Sequence, residues 1–165
     1  MLSTRQTITC GKLNLRYPHA MKSILGKYSD VFFLLLRVVA ALMFLSHGLQ
    51  KFNIGMLGGF APPPEIPQLT WAAWIESIGA PLILLGLGTR YVAFILSGEM
   101  AVAYFMSHFG TVMGPVANAQ PGQGPHSFFP HLNGGEITVL YCFLWLYLAA
   151  RGAGKYSIDA MLGLD

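Results

Sequence analysis

The run from Val31 to Lys51, VFFLLLRVVAALMFLSHGLQK, is apolar enough to cross a bilayer yet carries Arg37, His47 and Lys51. At about 1.5 Å per residue, about 20 apolar residues cover the roughly 30 Å of hydrocarbon, so the run reads as a transmembrane helix. With Arg37 at zero and about 100° per residue, Phe44 falls at about −20°, Gly48 at about +20°, Lys51 at about −40° and His47 at about −80°. The polar groups share one face with Ala40 and Ala41. A charge held in lipid costs at least about 2.5–3.5 kcal/mol unless it is paired or reaches water. That face must therefore point into a helix bundle, and the other helices must supply its partners.

The rest of the chain is built to match. Of its 165 residues, 54% are hydrophobic and 10% charged, against the about 25% charged of a soluble domain. This is enough chain for one domain of the integral-membrane class. The net charge of +3 does not point to nucleic acid, because the basic residues collect where the positive-inside rule places them.

Four spans are expected, at about 31–50, 71–87, 91–109 and 134–150, giving an all-α membrane four-helix bundle over residues 31–151. Trp71 and Trp74 suit a membrane interface, and Ala72, Ala73, Gly79 and Ala80 surround Glu76 with the small side chains that let helices approach in lipid. Gly88-Thr89-Arg90 makes a tight connection to the span that holds Glu99, with Ala103 and Met106 on the Glu99 face and His108 about 180° away. Residues 52–70 and 110–134 are too rich in proline and glycine to span and read as external loops. His126 and His131 of the second loop lack a third ligand at metal spacing, so an ordinary polar loop is expected and no metal site is assigned.

Residues 1–30 are basic, with no acid before Asp30. They read as a cytoplasmic tail; a start at Met21 and a transit peptide are the competing readings. Residues 152–165 are expected to leave the membrane as a second cytoplasmic tail. With the N-terminus inside, the inner segments hold Arg5, Lys12, Arg16, Lys22, Lys27, Arg90, Arg151 and Lys155, and the outer side holds Lys51 alone. Both termini are then cytoplasmic. Cys10 and Cys142 form no CxxC, and Cys142 reads as a small packing residue.

Depth predicts the pairings. Counted from the expected inner ends, Arg37 lies at about 9 Å and Glu99 at about 12 Å, so the two are expected to pair. Near the outer side, His47 and Glu76 fall at matching depth, with Lys51 and Glu136 at the edge. Ionisable residues brought into a membrane by separate helices suggest a polar cavity for a headgroup, a quinone or a proton; the competing reading is a set of salt bridges that fix helix register.

Taken together, LLRVVAALMFLSHGLQKF, WIESIGAPLILLGLGTR, GEMAVAYFMSHF and NGGEITVLYCFLWLYLAARGAGKYSID resemble the helices of the DoxX family over roughly residues 30–160. The resemblance implies a four-helix bacterial inner-membrane protein linked to sulfur, thiol and quinone redox metabolism. Its partners would be membrane lipids and other oxidoreductase subunits or a second copy, and not nucleic acid. It marks Arg37, His47, Lys51, Glu76, Glu99, Asn133 and Glu136 as family-like polar positions. On this reading His47 and Glu76 are candidate proton donors to a quinone, and Lys51 stabilises an anionic substrate such as thiosulfate. Arg37, Glu99, Asn133 and Glu136 join the binding set. No haem, flavin or CxxC motif is visible. The alternatives are a non-enzymatic scaffold for a partner protein and a small proton-coupled transporter.

Overall fold

The computed structural model of the protein describes residues 26–52, 67–109 and 128–164, and these contain helices and no strand. A 3-10 turn at Gly26–Tyr28 leads into α1, Ser29–Gln50. Helix α2 spans Pro67–Leu85 and α3 spans Thr89–Ala103, continuing through a π-helical turn at Tyr104–Phe109. A single turn, α4, covers Pro130–Asn133; α5 runs Glu136–Arg151 and α6 Ile158–Leu162.

The expected face of α1 is the buried one: Phe33, Arg37, Ala40, Ala41, Phe44 and Gly48 recur at helical spacing and point inward. The opposite face, with Leu35, Leu36, Val39, Leu42 and Met43, is exposed and apolar. Two helical stretches, Gly26–Gln50 and Pro67–Leu85, are long and apolar enough to cross a membrane. Only 33% and 28% of their most apolar windows are buried inside the protein, so most of that apolar surface faces outward. Helix α1 packs along α2, and α3 along α5, while α2 and α3 touch over a smaller area. One core joins them. Phe44 of α1 meets Tyr141 and Trp145 of α5, each at 5.2 Å between ring centres, above Ile83, Leu96 and Leu148. Cys142 packs against this core as expected, and its carbonyl accepts a 2.8 Å hydrogen bond from the Ser97 hydroxyl. Cys10 lies outside the described residues.

Small residues set the helix spacing. A Cβ on Gly48 would stand 2.6 Å from Ser77 Oγ, and one on Gly79 would stand 2.8 Å from a Leu96 methyl. At Gly48 the Ser77 backbone nitrogen stands nearly as close, at 2.8 Å, so a larger side chain there would move a helix, whereas at Gly79 the Leu96 side chain would have to turn aside.

At the α2–α3 end the structure departs from expectation. Arg37 does not pair with Glu99. It is 2% exposed, and its guanidinium donates to the carbonyls of Ala153 and, at 2.6 Å, Tyr156. Gly86, at φ 68°, passes so close that a Cβ there would sit 2.8 Å from Arg37 Nη1 and 2.6 Å from Ser157 Cβ. The long arginine stem carries its charge away from the level of its own Cα, toward a cluster of carbonyls where α5 ends. Nor is the segment after α5 a loose tail. Asp159 accepts from the backbone N–H groups of Gly88, at 2.7 Å, and Thr89, at 2.8 Å, capping α3, while its own N–H donates to Gly86 at 2.9 Å. Ser157 caps α6 through a 3.0 Å bond from the Ala160 N–H. Burial raises the Asp159 pKa, but the hydrogen bonds from Thr89 and Gly88 and the nearby Arg37 charge outweigh it and hold the carboxyl below its ordinary value. Arg90 completes this end by donating to the carbonyls of Ala150, at 2.7 Å, and Arg151, at 3.2 Å, the last turn of α5.

Candidate functional site

The close approach at Gly48 determines what the next turn of α1 can reach. Lys51, the C-terminal cap of α1, places Nζ 2.5 Å from Glu76 Oε1. Glu76 is 1% exposed, while Lys51 keeps about a fifth of its side chain at the surface, so the ion pair reaches from the edge of the protein to a buried carboxylate. Glu99 enters from α3 and brings its carboxyl within hydrogen-bonding reach of Glu76 and into the field of Lys51. Glu76 Oε2 and Glu99 Oε2 are both buried, and neither receives a hydrogen bond from an N–H or hydroxyl of the protein. Glu99 therefore belongs with Glu76, not with Arg37.

These groups line a cavity of about 500 Å³, within the roughly 300–1,000 Å³ typical of small-molecule sites. Its remaining walls are largely apolar, formed by residues such as Phe44, Ile75, Met100, Ala103, Met106 and Tyr141. Ala103 and Met106 are therefore on the Glu99 side, as their spacing predicts. His47 lines the cavity too, but it is exposed at the edge and its ring stands edge-on to Tyr141 at 6.4 Å. The expected His47–Glu76 pair is replaced by Lys51–Glu76: the α1–α2 crossing at Gly48 aims the lysine, one turn further on, at the carboxylate.

Two expected members fall elsewhere. Glu136 begins α5, is exposed and does not line the cavity. Asn133 is 4% exposed but belongs to an adjoining network. Its Nδ2 donates to Tyr104 Oη at 3.1 Å, its Oδ1 accepts from the Gly135 N–H at 2.9 Å, and the Tyr104 hydroxyl donates to the Phe128 carbonyl. His108 stacks on Tyr104, with Nδ1 3.3 Å from the Asn133 carbonyl and Nε2 3.2 Å from Thr138 Oγ1. A carbonyl only accepts, so neutral His108 carries its proton on Nδ1 and accepts from Thr138 through Nε2. Thr138 itself lines the cavity, so this network supports one wall.

Sequence reasoning did not find Thr138, Tyr104 or Tyr141. The Asn133-Gly134-Gly135 stretch was the available signal: Gly134 takes φ 75°, and a Cβ on Gly135 would stand 2.7 Å from the Tyr104 ring. His131 is exposed and His126 lies outside the described residues. Among the described residues no group of three His, Cys, Asp or Glu side chains is placed to hold a metal.

The DoxX profile matches residues 32–109. A protein of Haemophilus influenzae, described as an uncharacterized protein, is 44% identical over 138 residues, covering 82% of this chain and 93% of the relative. No solved structure matches.

Proposed function

The chain belongs to the DoxX family of membrane proteins, and we propose that it is a redox-linked inner-membrane subunit whose cavity binds a quinone. The observation that carries this reading is the pairing of a largely apolar cavity with a buried cluster of one ammonium and two carboxyls, Lys51, Glu76 and Glu99. An all-apolar cavity would hold a lipid chain without discriminating among heads; polar groups at its base give orientation and specificity. The four long helices cross the membrane with both termini cytoplasmic. This topology is supported by Lys27, Arg90, Arg151 and Lys155, all exposed, while Lys51 stands alone at the opposite end of α1 among the described residues.

The donor set fits the group. Lys51 and His47 would donate to a quinone oxygen, and Phe44 and Tyr141 contribute aromatic side chains to the cavity lining. One ammonium and two carboxyls are electrically balanced when a single proton is shared between Glu76 and Glu99, and in a medium of low dielectric the balanced state is favoured. The shared proton then lies at the cavity wall, where proton exchange accompanies quinone redox chemistry. A bound quinone supplies the electron-accepting chemistry; the residues of the chain bind, orient and exchange protons. Electrons arrive from a sulfur- or thiol-type donor or from a partner oxidoreductase subunit.

The test is to purify the protein in native lipid, quantify bound quinone, and follow its reduction by thiosulfate and by thiols. The expected result is bound quinone in the wild type and its loss, with folding retained, in Glu76→Gln or His47→Ala. Folded wild-type protein without quinone or turnover would leave the scaffold reading.

A further inference from the structure

The cavity base is buried, yet part of its wall lies on the outside of the molecule. Trp71 is 68% exposed, Ile95 57% and Val102 55%, and all three line the same cavity as Glu76. They sit on α2 and α3, chain neighbours whose mutual contact is thinner than that of α1–α2 or α3–α5. Between Ile95 and Val102 the seam passes Gly98, which is exposed and lines the cavity, and whose Cβ would meet nothing within 4 Å. Glu99 is the next residue. Gly98 lies about 14 Å along α3 from Thr89, close to half the roughly 30 Å hydrocarbon thickness. At that depth a sidewise opening faces acyl chains, not water.

We propose that the cavity loads laterally from the bilayer through the α2–α3 seam. Its ligand is a membrane-dissolved amphipath whose hydrogen-bonding head reaches Lys51, Glu76 and Glu99 while its apolar chain crosses Gly98 between Ile95 and Val102. Two observations support this. The exposed rim is apolar along its mid-membrane length, as a route for a chain requires. The innermost wall holds buried carboxyl oxygens that receive no hydrogen bond from a protein N–H or hydroxyl, as a seat for a polar head requires. The inference deepens the quinone reading and rests on it only for the identity of the head.

The experiment uses full-length protein, with Cys10→Ala and Cys142→Ala, carrying one nitroxide at Gly98→Cys or, in a second preparation, at Val102→Cys, reconstituted in phosphatidylethanolamine–phosphatidylglycerol vesicles. Collision rates with oxygen, which concentrates in lipid, and with a water-soluble nickel chelate are compared with two reference labels. One is at Leu140→Cys on the exposed apolar side of α5, the other at exposed Lys155→Cys. Lateral access predicts that Gly98 and Val102 match Leu140, with high oxygen and at least tenfold less nickel contact than Lys155. Nickel contact at both positions equal to that at Lys155 would mean a water-filled route and overturn the proposal. A second arm narrows the seam with Gly98→Trp or Val102→Trp. Uptake of a long-chain ubiquinone should slow at least tenfold more than uptake of the tail-less dimethoxy-methyl-benzoquinone head. Equal uptake of the long-chain probe by wild type and both variants would overturn the route. If the labels report lipid but neither quinone binds the wild type, the seam faces lipid as proposed and the quinone reading falls.

Discussion

The two ends of this molecule treat buried charge in opposite ways. At the α2–α3 end, Arg37 lies on two carbonyls and Asp159 on two N–H groups, and the segment after α5 is folded back to provide these contacts. In the cavity, Lys51 and Glu76 make one short ion pair, and Glu76 Oε2 and Glu99 Oε2 receive no hydrogen bond from a protein donor. The first arrangement is what a fold needs to hold its register. The second is what a site needs to receive a head group or a proton. Both sets of charged residues look alike in the sequence; the partners separate them.

The comparison breaks most readily at Lys51. Lys51→Met leaves buried carboxyls without their counter-charge and is expected to destabilise by about 3–5 kcal/mol. Lys51→Met with Glu76→Gln should recover most of that stability without recovering ligand; unfolding in detergent mixtures reads the first and bound quinone the second. Next comes the crossed pair Arg37→Ala and Glu99→Gln. Loss of hydrogen bonds from a charged donor to buried carbonyls is expected to cost about 3 kcal/mol, with the segment after α5 becoming protease-sensitive. Glu99→Gln should change stability by less than about 1 kcal/mol and abolish ligand retention. If the two variants exchange these phenotypes, the division between the ends is wrong.

Asp159 sharpens the contrast through pH. Its carboxyl is held below the ordinary value of 3.8, so its capping contribution is fully present above pH 3.8 and is lost as pH falls through the lower folded value. Asp159→Asn should remove about 1–2 kcal/mol at neutral pH and erase that acid-side loss, measured as Tm against pH. The smallest effect belongs to Glu136. Exposed and outside the cavity, Glu136→Gln should stay within about 0.5 kcal/mol of wild type and retain ligand.

The buried face of α1 was legible because helical spacing alone fixes it. The small residues around Glu76 were legible for the same reason: Ala73, Gly79 and Ala80 are buried as their pattern requires. The pairing of Glu99 was misread because depth was counted from assumed membrane boundaries. Counted from the shared turn, Glu76 lies about 14 Å before Leu85 and Glu99 about 15 Å after Thr89, so the two are level. The connection Gly86–Gly88 gives that reference directly. Arg37 was not legible by depth, since its partners are backbone carbonyls of a segment that turns back only in the folded chain. Asn133 was expected in the site, but its contact with His108 was not legible, because the π-helical turn at Tyr104–Phe109 shifts the register that a straight helix would keep for His108.

The central claim is that the Lys51–Glu76–Glu99 cavity holds a lipophilic ligand, and native mass spectrometry of protein released directly from membrane vesicles tests it most directly. Wild type, Glu99→Gln and Glu136→Gln would be compared side by side. The account predicts one quinone-mass adduct per chain in wild type and Glu136→Gln, and bare chains for Glu99→Gln. Bare chains throughout, or the same adduct on all three proteins, would contradict it.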